Sequence, residues 1–271
     1  YARLDTQKGP KSVMLVGVHG NEKPGILAYN DLKERLQIEQ GQLWVAYGNP
    51  PAIAQGERKT EQDLNRMFRP EDQMTPEERI SYEKKRADFI KTYLDQADAL
   101  LDVNGTKNPE GVPFLIAEPQ GLRIVETLPF ERVVSGFDQH EPGGTDYYMN
   151  TIVGKIGICA ESGYNEDPKS VERAKETILS FLKAQGHISG KDVERFQNYY
   201  RVFYTHITET DLKRVRNYPD FDPLPNGHVI GTDGGKQIVT DRECVILFGN
   251  MDTDQPGEDV FNLAEPTPTL S

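Results

Sequence analysis

The run Val13-Met14-Leu15-Val16-Gly17-Val18 passes directly into His19-Gly20-Asn21-Glu22-Lys23-Pro24-Gly25, and no other stretch of the chain restricts its fold as much. Five of the first six residues are apolar, which suits a strand buried on both faces. Such a strand needs helices above and below it, so an α/β class is expected. Gly20 permits a sharp turn, and Pro24 suits the first turn of a helix. His19 and Glu22 lie three residues apart across that turn, so an imidazole and a carboxylate can converge on one point. Nitrogen and oxygen donors of this kind suit zinc. The pair alone could be an ordinary polar turn, but open α/β sheets bind their ligands at the ends of such strands.

Further along, 24–40 has helical spacing, stopped by Gly41, and 43–47 is a second buried strand. Asn49-Pro50-Pro51 is expected to break it. The polar connection from there to Pro70 is long enough to be functional, and it holds Arg58, Asp63, Asn65 and Arg66. A single charged helix is predicted over 75–96, with Thr75, Pro76 and Glu78 forming its cap and its charges on a solvated face. Strands are expected at 99–103, 113–117, 132–136 and 156–161, short helices near Leu122 and Thr145, and a clear helix at 168–184. Beyond Gly186–Gly190 alternating strand-like segments take over at 199–208, 228–231, 237–239 and 244–248, with a hairpin turn at Gly234-Gly235. The expected organisation is a mixed, mostly parallel sheet flanked by helices over 1–190, followed by a smaller, mainly β domain over 191–271.

A formal charge of −12 argues against a nucleic-acid partner, which requires a basic footprint. Two cysteines, Cys159 and Cys244, supply neither a disulfide framework nor a four-cysteine metal site, and buried reduced thiols are expected. No apolar stretch approaches the roughly 20 residues of a membrane span, and no basic segment leads into a signal-like apolar run. A cytoplasmic protein without a membrane partner is expected; a homo-oligomer is left open.

Three apolar strands end in polar residues: His19 and Glu22, then Asp102-Val103-Asn104, then Glu161-Ser162-Gly163. Together with Asn49-Pro50, Arg58, Asp63-Leu64-Asn65-Arg66 and Phe68, this ordered set resembles the succinylglutamate desuccinylase/aspartoacylase family, relatives of the zinc carboxypeptidases. The resemblance covers about residues 13–185 and implies a zinc-exopeptidase-like fold. It also implies one zinc ion held by His19 and Glu22, Glu161 as general base, and Arg58 polarising the scissile carbonyl or contacting substrate. Asn65 and Arg66 would grip a substrate carboxylate. These roles agree with the chemistry of the groups: a guanidinium fork matches a carboxylate, and a carboxylate beside acidified water can take its proton.

One position departs from the family. The third metal ligand implied is a histidine in an Asp-x-His strand end, and Asn104 stands there, a neutral and weaker donor. His140 is the best-placed substitute, although a surface-loop role suits it better. Cys159 shares a strand face with Glu161, where an inert buried thiol is the simpler expectation. The function expected is a zinc-dependent amidohydrolase acting on an N-acyl amino acid or similar small carboxylate, weakened or inactivated by Asn104. The alternatives are a metallocarboxypeptidase and a non-catalytic ligand-binding homologue.

Overall fold

The computed structural model describes residues 2–6, 8–191, 193–210, 212–250 and 256–271. The apolar run forms β2 (Lys11–Val16), preceded by β1 (Ala2–Asp5) and followed by α1 (Lys23–Leu32) and β3 (Gln42–Tyr47). The sharp turn is made at Gly17, whose φ is +66°; Gly20 is required for a different reason. A Cβ there would lie 2.1 Å from the Ala52 carbonyl carbon, so the glycine admits the neighbouring helix. Gly25 plays the same part for α1, since a Cβ would meet the Val103 carbonyl oxygen at 2.3 Å.

The expected helix over 24–40 stops at Leu32. The Glu39 and Gln40 amides donate to the His187 carbonyl instead, so tertiary docking overrides the helical spacing of Leu36 and Ile38. Asn49-Pro50-Pro51 ends β3 as expected, and it also starts a short helix within the polar connection, α2 (Pro50–Gln55), with Asn49 as its cap and proline in the first turn. The single helix predicted over 75–96 is two, α3 (Pro76–Ile80) and α4 (Tyr82–Leu94). Thr75 and Glu78 form the capping box as expected. Ser81 interrupts the pair because its extended backbone lets its hydroxyl cap α4.

The chain continues through β4 (Ala99–Thr106), β5 (Phe114–Ala117), α5 (Leu122–Val125), β6 (Arg132–Ser135), α6 (Phe137–His140) and α7 (Thr145–Tyr147). A π-helical turn (Tyr148–Val153) leads to β7 (Ile156–Tyr164) and α8 (Pro168–Ala184). Strands β8 (Asn198–Ile207), β9 (Lys213–Arg214), β10 (Asp222–Leu224), β11 (Val229–Asp233), β12 (Lys236–Val239), β13 (Cys244–Leu247) and β14 (Asp259–Thr267) complete it. Gly234 and Gly235 both have positive φ and turn the β11–β12 hairpin, as their sequence suggests.

The strands form an 11-stranded sheet in the order β1-β3-β2-β4-β7-β5-β6-β8-β14-β13-β10 and a 3-stranded sheet β12-β11-β9. Through β8 the large sheet is mostly parallel, with β1–β3 and β5–β7 the antiparallel exceptions. The boundary expected near residue 190 falls between α8 and β8, and β8 pairs with β6, so the large sheet runs across it. One face of the sheet packs Met14, Val16, Leu101, Val103 and Ile158 against α1 and α8. The other packs Val13, Leu15 and Leu100 against α4. Side chains alternate, so Asp102 and Asn104 continue the second face at the carboxyl end of β4. Among the described residues no helix is long and apolar enough to cross a membrane.

Candidate active site

The carboxyl ends of β2, β4 and β7 are neighbours, and they bring together the residues expected to meet there. His19 Nδ1 is 2.8 Å from Glu22 Oε1, and both side chains are buried. On the other side of the ring Nε2 is 2.9 Å from Asp63 Oδ1. Asp63 belongs to the sequence pattern but carried no assigned role; here it is the residue that orients the imidazole. Its second oxygen takes Arg58 Nε and Nη2 at 3.1 and 2.9 Å, while Arg58 Nη1 reaches Glu22 Oε1 at 3.4 Å. The four side chains thus form one closed ring of charge.

Burial and the Arg58 charge lower the His19 pKa, but the flanking Glu22 and Asp63 carboxylates outweigh them and raise it to about 9. Arg58 and His19 overcome the burial of Asp63 and hold its carboxyl well below the usual range.

Glu161 is the in-register partner of Asn104 across β4 and β7. Burial foremost, and then the Glu22 charge, push its pKa well above that of an ordinary carboxylate. Cys159 is the buried thiol expected, with burial and the neighbouring Glu161 charge pushing its pKa well up, and its side chain reaches the site. Asn104 Nδ2 donates to its Sγ at 3.1 Å, and the thiol lies 3.7 Å from Glu161 Oε1. Asp102 accepts from the Thr145 hydroxyl at 2.7 Å, and burial raises its pKa to about 7.

The loop carrying Arg58 and Asp63 is held from beneath by Glu83 of α4. This carboxylate accepts from the Thr60 amide and hydroxyl, the Glu61 and Gln62 amides and Asn49 Nδ2. The expectation that the charged helix merely faces solvent is therefore corrected, since Glu83 and Lys84 are both buried. Asn65 Oδ1 accepts from the Thr145 amide, which ties the same loop to α7. Arg66 is gripped by Glu141 and Asp259, each at 2.8 Å from Nη2.

The donors fit a divalent cation in part. If Nε2–H donates to Asp63, the Nδ1 lone pair faces a carboxylate oxygen, an arrangement that requires either a proton or a cation between them. Asn104 Oδ1 is buried without a hydrogen-bond partner, as a ligand oxygen would be. Among the described residues, however, no three His, Cys, Asp or Glu side chains are grouped to hold a metal. His140 therefore does not replace the missing histidine; it sits in α6, where burial and the nearby Arg201 lower its pKa. The set present is two strong donors and one neutral amide.

Acid–base groups and arginines are gathered at the carboxyl ends of a mostly parallel, helix-covered sheet, the place where α/β enzymes bind their ligands. The chain belongs to the succinylglutamate desuccinylase/aspartoacylase family, whose catalytic-domain model matches residues 8–185. It is 25% identical to the succinylglutamate desuccinylase of Shewanella amazonensis, over 92% of this chain and 81% of that one. The structure of the succinylglutamate desuccinylase of Vibrio parahaemolyticus is similar with a TM-score of 0.78 at 17% identity, covering 96% of this chain and 83% of the other. A succinylglutamate desuccinylase/aspartoacylase from Rhodobacter sphaeroides gives 0.73 at 20% identity, covering 98% and 88%. These structural likenesses extend the shared fold through the C-terminal strands.

Proposed function

We propose that the chain is a zinc-dependent amidohydrolase that removes the acyl group from an N-acyl amino acid or similar small carboxylate, with its zinc held weakly because of Asn104. The observation that carries this reading is the placement of His19 Nδ1 against Glu22, with Asp63 behind the ring and Glu161 on the adjacent strand end. The relatives' name, succinylglutamate desuccinylase, supports an acylated amino acid as the substrate class.

His19, Glu22 and Asn104 would hold the ion. When bound, zinc supplies Lewis acidity to the scissile carbonyl and lowers the pKa of water. Glu161 takes the proton of the attacking water and returns it to the leaving amine; burial raises its pKa, which strengthens it as a proton acceptor once it is ionised. Arg58, held in orientation by Asp63, places positive charge where the carbonyl oxygen becomes anionic. Asn65 and Arg66 line the approach taken by the substrate carboxylate.

A second reading, a ligand-binding homologue without turnover, is favoured by Asn104 alone. Hydrolysis of a panel of N-acyl amino acids, by the chain as it stands and by Asn104→His, separates the two. Turnover by either form supports the hydrolase, and turnover by neither removes it.

A further inference from the structure

Arg66 has little left to offer a substrate. Of the five N–H groups of a guanidinium, Nε points to Asp259 Oδ2 at 3.3 Å and Nη1 uses one on the Asn65 carbonyl at 3.2 Å. Nη2 spends both of its own, on Asp259 Oδ2 and Glu141 Oε2. One donor therefore remains, on Nη1, and a bidentate fork for an incoming carboxylate does not.

The two acids are built into the fold. Glu141 follows α6, and its other oxygen accepts from Asn262 Nδ2 at 2.6 Å. Asn262 also donates to the Thr205 hydroxyl, so β8 and β14 together fix that carboxylate. Asp259 opens β14, and its Oδ1 accepts no hydrogen bond from the described residues. Both side chains retain some exposure, 12% and 24%, beside Arg66 at 26%. Burial and the Asp259 charge raise the Glu141 pKa against the pull of Arg66, as expected where one guanidinium serves two acids.

The charge balance decides what this place accepts. Two carboxylates and one guanidinium leave one negative charge in excess. A substrate with a second carboxylate adds to that excess, and one with an ammonium beside its carboxylate supplies the missing counter-charge. Partial burial keeps the difference from being screened away.

We infer that Glu141 and Asp259 are specificity-determining residues that select an N-acylated diamino acid, whose free ammonium they accept, over an N-acylated dicarboxylic amino acid. The inference rests on the deacylase reading for the class of substrate, and it assigns the side chain which that reading leaves open. The carboxylate of the same substrate meets Asn65 and the remaining Arg66 N–H.

Calorimetric titration of the full chain, with zinc present, tests this using three probes of similar length: Nα-acetyl-L-ornithine, Nα-acetyl-L-norvaline and Nα-acetyl-L-glutamate. The ornithine compound is expected to bind at least about tenfold more tightly than the glutamate compound, with norvaline between them. Asp259→Asn and, separately, Glu141→Gln should each shrink that ratio several-fold; with two variants the test survives if one fails to fold. The ratio in the unaltered chain decides in either case. Equal or tighter binding of the glutamate compound overturns the inference, as does binding of none of the three. Hydrolysis of the same probes is followed in parallel. An intact binding preference without turnover counts against the deacylase reading alone.

Discussion

Asp63 Oδ1 stands 2.9 Å from His19 Nε2, and this contact across 44 residues of sequence fixes which face of the imidazole the site can use. Nδ1 is left for Glu22, and the same aspartate steers Arg58. Asp63→Ala removes both constraints. Metal affinity is expected to fall by roughly 10–100-fold, the range for loss of a carboxylate behind a ligating histidine. Zinc competition titration of the variant measures it; unchanged affinity would show that the ring is oriented by something else.

The pH response of the metal-free chain follows from His19. Its folded pKa of about 9 lies above the ordinary value of 6.5, so its contribution is present in full below about 6.5 and is lost as pH rises through 9. Thermal stability without metal should therefore decline between those limits. Zinc uptake must displace the His19 proton, so apparent affinity should climb over the same range. His19→Gln should flatten both profiles.

Glu83 gathers the loop that delivers Arg58 and Asp63, although it lies on α4, away from the chemistry. Glu83→Gln keeps the shape but turns amide hydrogens toward backbone N–H groups. A loss of about 1–3 kcal/mol is expected, the usual cost of leaving buried polar groups unpaired. Denaturant unfolding reads the stability, and substrate KM reads the displaced Arg58. A stability change within about 0.5 kcal/mol would argue against this role.

Gly25 lets α1 rest on β4, with the Val103 carbonyl where a side chain would begin. Gly25→Ala gains helix propensity, worth up to about 1 kcal/mol, but meets a backbone atom that has no room to yield. Overpacking should win by about 1–3 kcal/mol. A variant as stable as the parent in thermal unfolding would show that α1 can shift without disturbing β4.

The fold was legible wherever burial on both faces dictates composition. β2, β4, β7 and α8 lie close to their expected positions because apolar runs and helical spacing report directly on the layers around them. Segments decided by partners far along the chain were less visible. α1 ends early because its continuation docks on His187, and Ser81 divides α3 from α4 by capping rather than by any change in hydrophobic pattern. In the site, the sequence singled out His19, Glu22, Asn104 and Glu161, all at strand ends, and the structure gathers them at neighbouring strand ends. Asp63, Glu83, Glu141 and Asp259 act through contacts that span loops and the C-terminal strands, so no local spacing announces them. Cys159 shares the face of Glu161, but only the Asn104 amide beside it shows that the thiol is engaged.

The central claim is a zinc site with two strong donors and a weak third, and the most direct test is the zinc content of the purified chain beside Asn104→His. After dialysis against a weak chelator, the histidine form should keep about one zinc per chain and the chain as it stands markedly less. Equal retention in both would contradict the weakness assigned to Asn104, and zinc in neither would contradict the site formed by His19 and Glu22.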